Sequence, residues 1–472
     1  MDYSAANTTV WSAVITFGII GTVVLLSNIL RLKISIVKKS LFPTAVIAGF
    51  LLLAVKELGW IDLDINMLSI ITFHSVAIGF IAITLRLPKE SARTGALLGF
   101  KTGATALATY MIQIIVGMGI AFILAATVRP DFFTPSGILL ALGFGQGPGQ
   151  ANNIGASYEA LGFAGGQSFG LALAAMGYVI AFVVGVLRLH AIKRKRADEG
   201  KPFRDEEPVG VDFFQDDEEA PVSESIDRLS IQVALVMFVY LLSYLFIKAL
   251  LWGIGLISPG GAASLSGTIW GFNFIAGVLL AALVRIFIRW LRNKGLMRHQ
   301  YQNNYLLSRI SGCAFDFMIV AGIAAIDLRD LSGLWMPFLL MSAVGGLVTY
   351  FFLDHICKHV YKEYSEEAFL TMFGTWTGTI SSGMILLREI DPEFQTPAAN
   401  NIIIGSSYGI VLGIPLLLII SGAPGNPLMW YLVAVGYFAV LTVIIFLGVG
   451  PKGDARRAAR AEKREAKRAT RG

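Results

Sequence analysis

About eleven runs of predominantly apolar residues follow one another along this chain, each near the length a helix needs to cross a bilayer. They fall at about 10–30, 41–57, 67–86, 103–128 and 167–188, and again at about 229–250, 267–290, 305–326, 333–353, 396–420 and 426–450. A hydrocarbon core of about 30 Å takes roughly 20 residues of helix. Only 15% of the 472 residues are charged and the mean hydropathy is +0.67, whereas a soluble domain carries about a quarter charged residues. The pattern predicts an all-α polytopic membrane protein of about 11 spans.

Charge placement orients the spans. When the chain is threaded with its N-terminus outside, all but four of the 38 Lys and Arg residues fall on one side; the exceptions are Lys56, Arg129, Lys248 and Arg329. That is the positive-inside signature. It predicts a multi-pass protein of the bacterial inner membrane with the C-terminus cytoplasmic. It also accounts for the net charge of +6 without a nucleic-acid partner. Met1–Thr9 carries Asp2 and no Lys or Arg, so the first run is read as a retained span and not a cleaved signal. Cys313 and Cys357 imply no disulfide framework.

Two segments do not fit as ordinary spans. Residues 134–166 and 365–394 each hold a short apolar stretch, a Gly-rich break and a second short stretch. Nine or ten helical residues reach about half-way through the hydrocarbon. Each segment therefore reads as a re-entrant hairpin or as a single tilted, Gly-interrupted helix. Irregular backbone at that depth has to be covered by protein or by a wet cavity.

The two halves repeat this order: four spans, a broken segment, one more span, with opposite starting sides. Phe144-Gly145 is followed by Gly149 as Phe373-Gly374 is followed by Gly378. Inverted repeats with matching interruptions point to a secondary transporter. The predicted organisation is a first repeat over 1–188, a charged cytoplasmic linker over 189–228, a second repeat over 229–420, an extra span over 421–450 and a basic tail over 451–472. The linker is read as a solvated connector or a regulatory element, and the tail as a topology anchor or a contact for anionic lipid.

The candidate site residues lie at the breaks. In the first, Gly145, Gln146, Gly147, Gly149, Gln150, Asn152 and Asn153 combine close backbone approach with amide donors and acceptors. A helix beginning there points free N–H groups at the membrane centre, which suits a carboxylate. Small residues serve helix packing too. In the second, Thr375, Thr377, Gly378 and Thr379 are substrate candidates, and Ser381 and Ser382 are tentative sodium ligands. Hydroxyls of this kind also bond back to their own helix. Asp316 is the acid placed mid-span. It is read as a sodium ligand, a proton carrier, or the partner of Arg309 or Lys101. His74 is expected to be buried and hydrogen-bonded, Asn273 to be glue or ligand, and Glu159 and Glu389 to sit at the interface. No Gly-rich loop with Lys-Ser/Thr and no His-Glu-x-x-His pattern occurs, so the chain is not expected to be an enzyme. No cofactor beyond a coupling sodium ion is expected.

At these breaks the sequence resembles the bacterial sodium/glutamate symporter family, along nearly the whole chain in span order. The similarity is carried by 143–163 (GFGQGPGQANNIGASYEALGF), by 373–389 (FGTWTGTISSGMILLRE) and by Ser168-Phe169-Gly170-Leu171. Gly145-Gln146-Gly147-Pro148 stands where the family typically has Gly-His-Gly-Thr. Thr377-Gly378-Thr379-Ile380 stands in place of an Ala-Thr-Pro-Thr run. The resemblance implies sodium-coupled symport of a small carboxylate or amino acid, glutamate first, by alternating access. It also implies a homodimer whose moving part carries both hairpins. A proton-coupled exchanger using Asp316, and a channel or membrane sensor signalling through the acidic linker, stand as alternatives.

Overall fold

A computed structural model describes residues 4, 7–87, 96–198, 222–297, 302–392 and 394–447. Most of the charged linker and the whole basic tail lie outside the described residues.

The described chain is helical throughout. Nine of its helices are long and apolar enough to cross a membrane: α1 (Thr8–Lys33), α4 (Ile65–Leu85), α5 (Ala96–Thr127), α8 (Gly166–Asp198), α9 (Val222–Ile257), α11 (Asn273–Asn293), α12 (Asn304–Ala324), α13 (Trp335–Val360) and α18 (Pro427–Phe446). The other two apolar runs form shorter pieces. One is α3 (Thr44–Glu57), preceded by the short α2 (Ser35–Lys39). The other is split into α16 (Ala398–Leu412) and α17 (Ile414–Gly422), where Pro415 cannot supply the N–H that would continue the helix. The run at 267–290 is also divided: α10 (Pro259–Gly271) stops at Phe272 and α11 begins at Asn273.

Helices α1, α9, α11 and α18 carry their apolar side chains outward. Leu25, Leu32, Phe238, Leu241, Leu283, Ile286, Leu432 and Val443 are all exposed. A water-soluble surface does not present apolar area on this scale; lipid solvates it. Side-chain caps start several helices. Asp64 accepts from Asn66 N at 2.9 Å, Asn303 from Leu306 N at 3.1 Å and Asn426 from Met429 N at 3.1 Å. Two of the four sequence exceptions to the charge rule are held locally. Lys56 donates to the Ile326 carbonyl and pairs with Glu57, and Arg129 donates to Gly333 O at 2.7 Å.

Packing is centred on two helices. α12 lies against α3 and α4, with α11 on the far side of α4. α5 lies against α13, α16 and α18. Small residues set the approach: a Cβ on Gly103 would meet the Gly405 carbonyl at 2.8 Å, and one on Gly49 would meet Ile323 Cβ at 2.8 Å. Between the two groups runs α8, which packs on the first broken segment, on the second, and on α13. That position brings the two interruptions together.

Candidate functional site

The first broken segment descends as a 3-10 turn (Thr134–Gly137), one turn of α6 (Ile138–Ala141) and a π-helical turn (Leu142–Gln146), and returns as α7 (Pro148–Glu159). Gly143 and Gly145 let the π turn sit against its neighbours. A Cβ on Gly143 would meet Ala174 N at 2.8 Å, and one on Gly145 would meet Tyr110 Cε1 at 2.1 Å. Tyr110 Oη donates to the Gly145 carbonyl at 3.0 Å, satisfying an acceptor at the end of this arm. Gly147 makes the reversal at φ +82, ψ −173, a region open essentially only to glycine. Pro148 then opens α7, where its missing N–H costs nothing.

The second broken segment is α14 (Ser365–Thr377), a two-residue break at Gly378-Thr379, and α15 (Ile380–Arg388). Its arms lie backbone on backbone. A Cβ on Gly374 would be 2.8 Å from Gly383 Cα, and one on Gly383 would be 2.3 Å from Thr371 O. Each segment is thus two helical arms joined at a break that contains a glycine.

The two breaks meet. A Cβ on Gly147 would lie 3.5 Å from Thr379 Cγ2, 3.7 Å from Tyr178 Oη and 3.9 Å from Gly378 O. α8 backs the contact, its Gly177 lying against Thr377 O. α7 and α15 therefore start at one point. The first-turn N–H groups of Gly149 and Gln150, and of Ile380, Ser381 and Ser382, have no acceptor within their own helices. Buried polar atoms without a hydrogen-bond partner occur here as well: Tyr178 Oη at the contact, and both the Oε1 and the Nε2 of Gln150 in the first turn of α7. Buried polar groups are nearly always paired, so each unpaired one calls for an explanation.

The other predicted residues divide. Gly145, Gln146 and Thr379 are half-buried and Ser381 is exposed. Ser382 is buried behind them, 3.4 Å from Thr379 Oγ1. Gly149 is a packing residue: its Cβ would meet Val76 Cβ at 2.8 Å and Met318 Sδ at 3.0 Å. The Thr375 and Thr377 hydroxyls donate to the carbonyls of Thr371 and Phe373, at 2.7 and 2.6 Å.

Asn152 and Asn153 point elsewhere. With Asn66, Ser69, Gln167 and Trp270 they line a cavity of ≈ 380 Å³ beside α4 and α10. Gln167 Nε2 donates to Ser69 Oγ at 2.8 Å and to Asn152 Oδ1 at 2.7 Å, and Asn153 Nδ2 donates to Gly271 O at 2.8 Å. The Asn153 bond meets the last residue of α10, at the break between α10 and α11.

Asp316 is exposed, on a stripe of α12 that also carries Arg309, Gly312 and Cys313. The structural pairs offered for it are not made. Lys101 donates to Leu447 O at 2.6 Å, and Arg309 stands over the Tyr305 ring at 4.9 Å. His74 is exposed and lies 2.6 Å from Tyr240 Oη, to which Asn273 Nδ2 also donates at 3.2 Å. That places both in a helix-joining contact. Glu389 pairs with Lys193 at 3.1 Å, and Glu159 accepts from Gln167 N at 3.0 Å. Among the described residues, no group of three or more His, Cys, Asp or Glu side chains converges as a metal site.

Sequence reasoning missed Tyr110, Gln167 and Tyr178. An aromatic or amide within an apolar run reads as core or glue, and only the fold shows that Tyr178 stands where the breaks touch. No family model, no curated protein and no solved structure matches the chain.

Proposed function

We propose that the chain is a secondary active transporter that carries a small carboxylate or amino acid, coupled to sodium, by alternating access. The observation that carries this reading is the meeting of Gly147 with Gly378 and Thr379, which joins the starts of α7 and α15. Each helix N-terminus presents about half a positive charge and free N–H groups. Two of them at one point make a receptor for one carboxylate.

Matching packing supports an inverted repeat. α1 lies on α3 and α3 on α12; in the other half α9 lies on α11 and α11 on α4. The third spans, α4 and α12, pack on each other, as a two-fold axis in the membrane plane would require. In this reading the broken segments are re-entrant hairpins from opposite faces, meeting near the midplane. The basic ends of the spans are cytoplasmic, the protein sits in the bacterial inner membrane as a homodimer, and glutamate is the substrate that the family resemblance implies.

Counterflow in proteoliposomes tests the proposal. An imposed sodium gradient is expected to drive accumulation of at least one amino acid or carboxylate from a panel. Accumulation that follows a pH gradient and ignores sodium selects the second reading, a proton-coupled exchanger using Asp316. That reading is favoured by one observation: the Asp316 carboxylate is exposed and makes no ion pair with the basic groups offered for it.

A further inference from the structure

A second cavity, of ≈ 350 Å³, lies between α8 and the corner that joins α2 to α3. Ligand-sized pockets begin at about 300 Å³. The corner is built against α8. Ser40 Oγ donates to Val37 O at 2.7 Å as α2 ends, and the Phe42 ring packs on that of Phe182 at 5.1 Å. That contact sets Lys39 and Leu41 in one cavity with His190 and Lys193 of α8, and Glu389 completes the lining. Glu389 follows the last residue of α15, so the cavity lies at the other end of that helix from the contact of the two breaks.

The lining is positive overall. Glu389 pairs with Lys193 at 3.1 Å. Lys39 is exposed and makes no ion pair among the described residues, and neither do Lys33 and Lys38 near it in the chain. His190 adds a ring that can donate an N–H. Next to these polar groups the surface is apolar and uncovered. Val183 and Leu187 stand one and two turns before His190 on the same stripe of α8, 48% and 65% exposed. Ile36 of α2, beside the lysines, is 81% exposed. Apolar surface that runs directly into lysines fits the boundary between acyl chains and headgroups. Basic pockets between spans at that boundary suit anionic lipid headgroups.

We propose that this cavity binds an anionic phospholipid, with the phosphate on Lys39 and Lys193 and an acyl chain along Val183 and Leu187. A lipid is already held at this depth by its chains, so its phosphate is presented to the lysines at a high effective concentration, whereas a soluble anion has to be drawn out of water. Glu389 competes with the phosphate for Lys193, and Lys39 therefore supplies the unshared charge. Lipid binding at this place does not depend on transport.

The delipidated full chain in a neutral detergent is titrated with phosphatidylglycerol, with phosphatidylcholine and with inorganic phosphate, and bound lipid is counted by native mass spectrometry. Phosphatidylglycerol is expected to bind about tenfold more tightly than phosphatidylcholine. Lys39→Gln is expected to weaken phosphatidylglycerol about fivefold, the loss for one lysine at a lipid surface, and Lys39→Gln with Lys193→Gln roughly twentyfold. Glu389→Gln, which frees Lys193, is expected to tighten it about twofold. Arg289→Gln with Lys294→Gln removes the same charge from the basic end of α11 and is expected to change binding by less than about twofold. A phosphatidylglycerol with a photoreactive acyl chain is expected to label the part of α8 that holds Val183 and Leu187. Thermal unfolding of the lipid-free variants shows whether they fold; Lys39→Gln breaks no ion pair and carries the test where the double variant does not fold. Equal binding of the two lipids, unweakened phosphatidylglycerol binding to folded Lys39→Gln, equal losses in the cavity pair and the α11 pair, or labelling that spares α8 overturns the inference. Displacement of phosphatidylglycerol by inorganic phosphate at equal concentration overturns it as well and assigns the cavity to a soluble anion.

Discussion

At Gly147 the obstacle to a single methyl group is the backbone. The backbone sits at φ +82, ψ −173, where a side chain costs about 1–3 kcal/mol. The new Cβ would also fill the contact of the two turns, lying against Thr379 and Tyr178 at van der Waals distance. Gly147→Ala is expected to keep its helical circular dichroism and to lose more than tenfold in uptake rate; full uptake would show that the turn tolerates the change and that the tips do not bind substrate. Gly145→Ala tests a different constraint, since its Cβ would overlap the Tyr110 ring. Repacking of a tight site costs about 1–3 kcal/mol, and removing the ring with Tyr110→Ala in the same chain is expected to restore part of the lost thermal stability. The glycines were readable in the sequence because turns at membrane depth need them. Their separate duties were not. Gly147 turns the chain, Gly149 packs on Val76 and Met318, and Gly383 lets two backbones touch, yet all three look alike as letters. Thr375 and Thr377 mislead in a related way, because the sequence does not show that their hydroxyls donate back to α14.

Among the elements, the second broken pair is clamped by the basic end of α8. Arg188 donates to both carboxylate oxygens of Glu366 at 3.0 Å, to Asp354 at 3.1 Å and to Tyr350 Oη at 3.2 Å, and stands over the Phe369 ring at 5.3 Å. Arg196 adds a 2.6 Å pair to Glu367, and Lys193 a 3.1 Å pair to Glu389. Both ends of the pair, the start of α14 and the end of α15, are thus tied to one helix. A half-buried guanidinium that leaves two carboxylates behind is costly to remove, by about 2–4 kcal/mol after allowance for its partial exposure. Arg188→Ala is expected to lower the unfolding temperature and to make the 365–388 region more accessible to protease. Arg188→Lys is expected to recover part of the loss, because it restores charge without the planar fork. A double-mutant cycle with Glu366→Gln should show coupling between the two sites; strict additivity would mean that the pair does not act as a clamp. Element type was clear in the sequence from hydropathy alone. Hydropathy did not reveal the breaks at Phe272 and Gly413, since 267–290 and 396–420 are each predominantly apolar, although Pro415 marks the second in the sequence. Hydropathy reports solvent and is silent on whether a helix axis is straight.

For the whole molecule, the sorting of positive charge and the span order are two views of one topology, and both were available before any coordinates. What they leave open is whether the interrupted segments cross the membrane or return. The packing bears on this, because Gly374 lies on Gly383 and the Gly147 turn reverses the first segment, and a return of each segment would put both of its ends at the same end of the bundle. The topology reading then makes a sharp prediction. In a background of Cys313→Ser and Cys357→Ser, single cysteines at the exposed positions Asp131 and Leu161 flank the first pair, and those at Glu363 and Pro392 flank the second. In oriented vesicles, a membrane-impermeant maleimide is expected to reach Asp131→Cys and Leu161→Cys from one face, and Glu363→Cys and Pro392→Cys from the other. If the two ends of either pair label from opposite faces, that segment is a span and every later helix changes direction. α7 and α15 would then no longer begin at one depth from opposed hairpins, and the carboxylate receptor would have no structural basis. If all four label as expected, the contact of Gly147 with Gly378 and Thr379 becomes a junction between two leaflets, the place from which a bound ligand can be offered to either side.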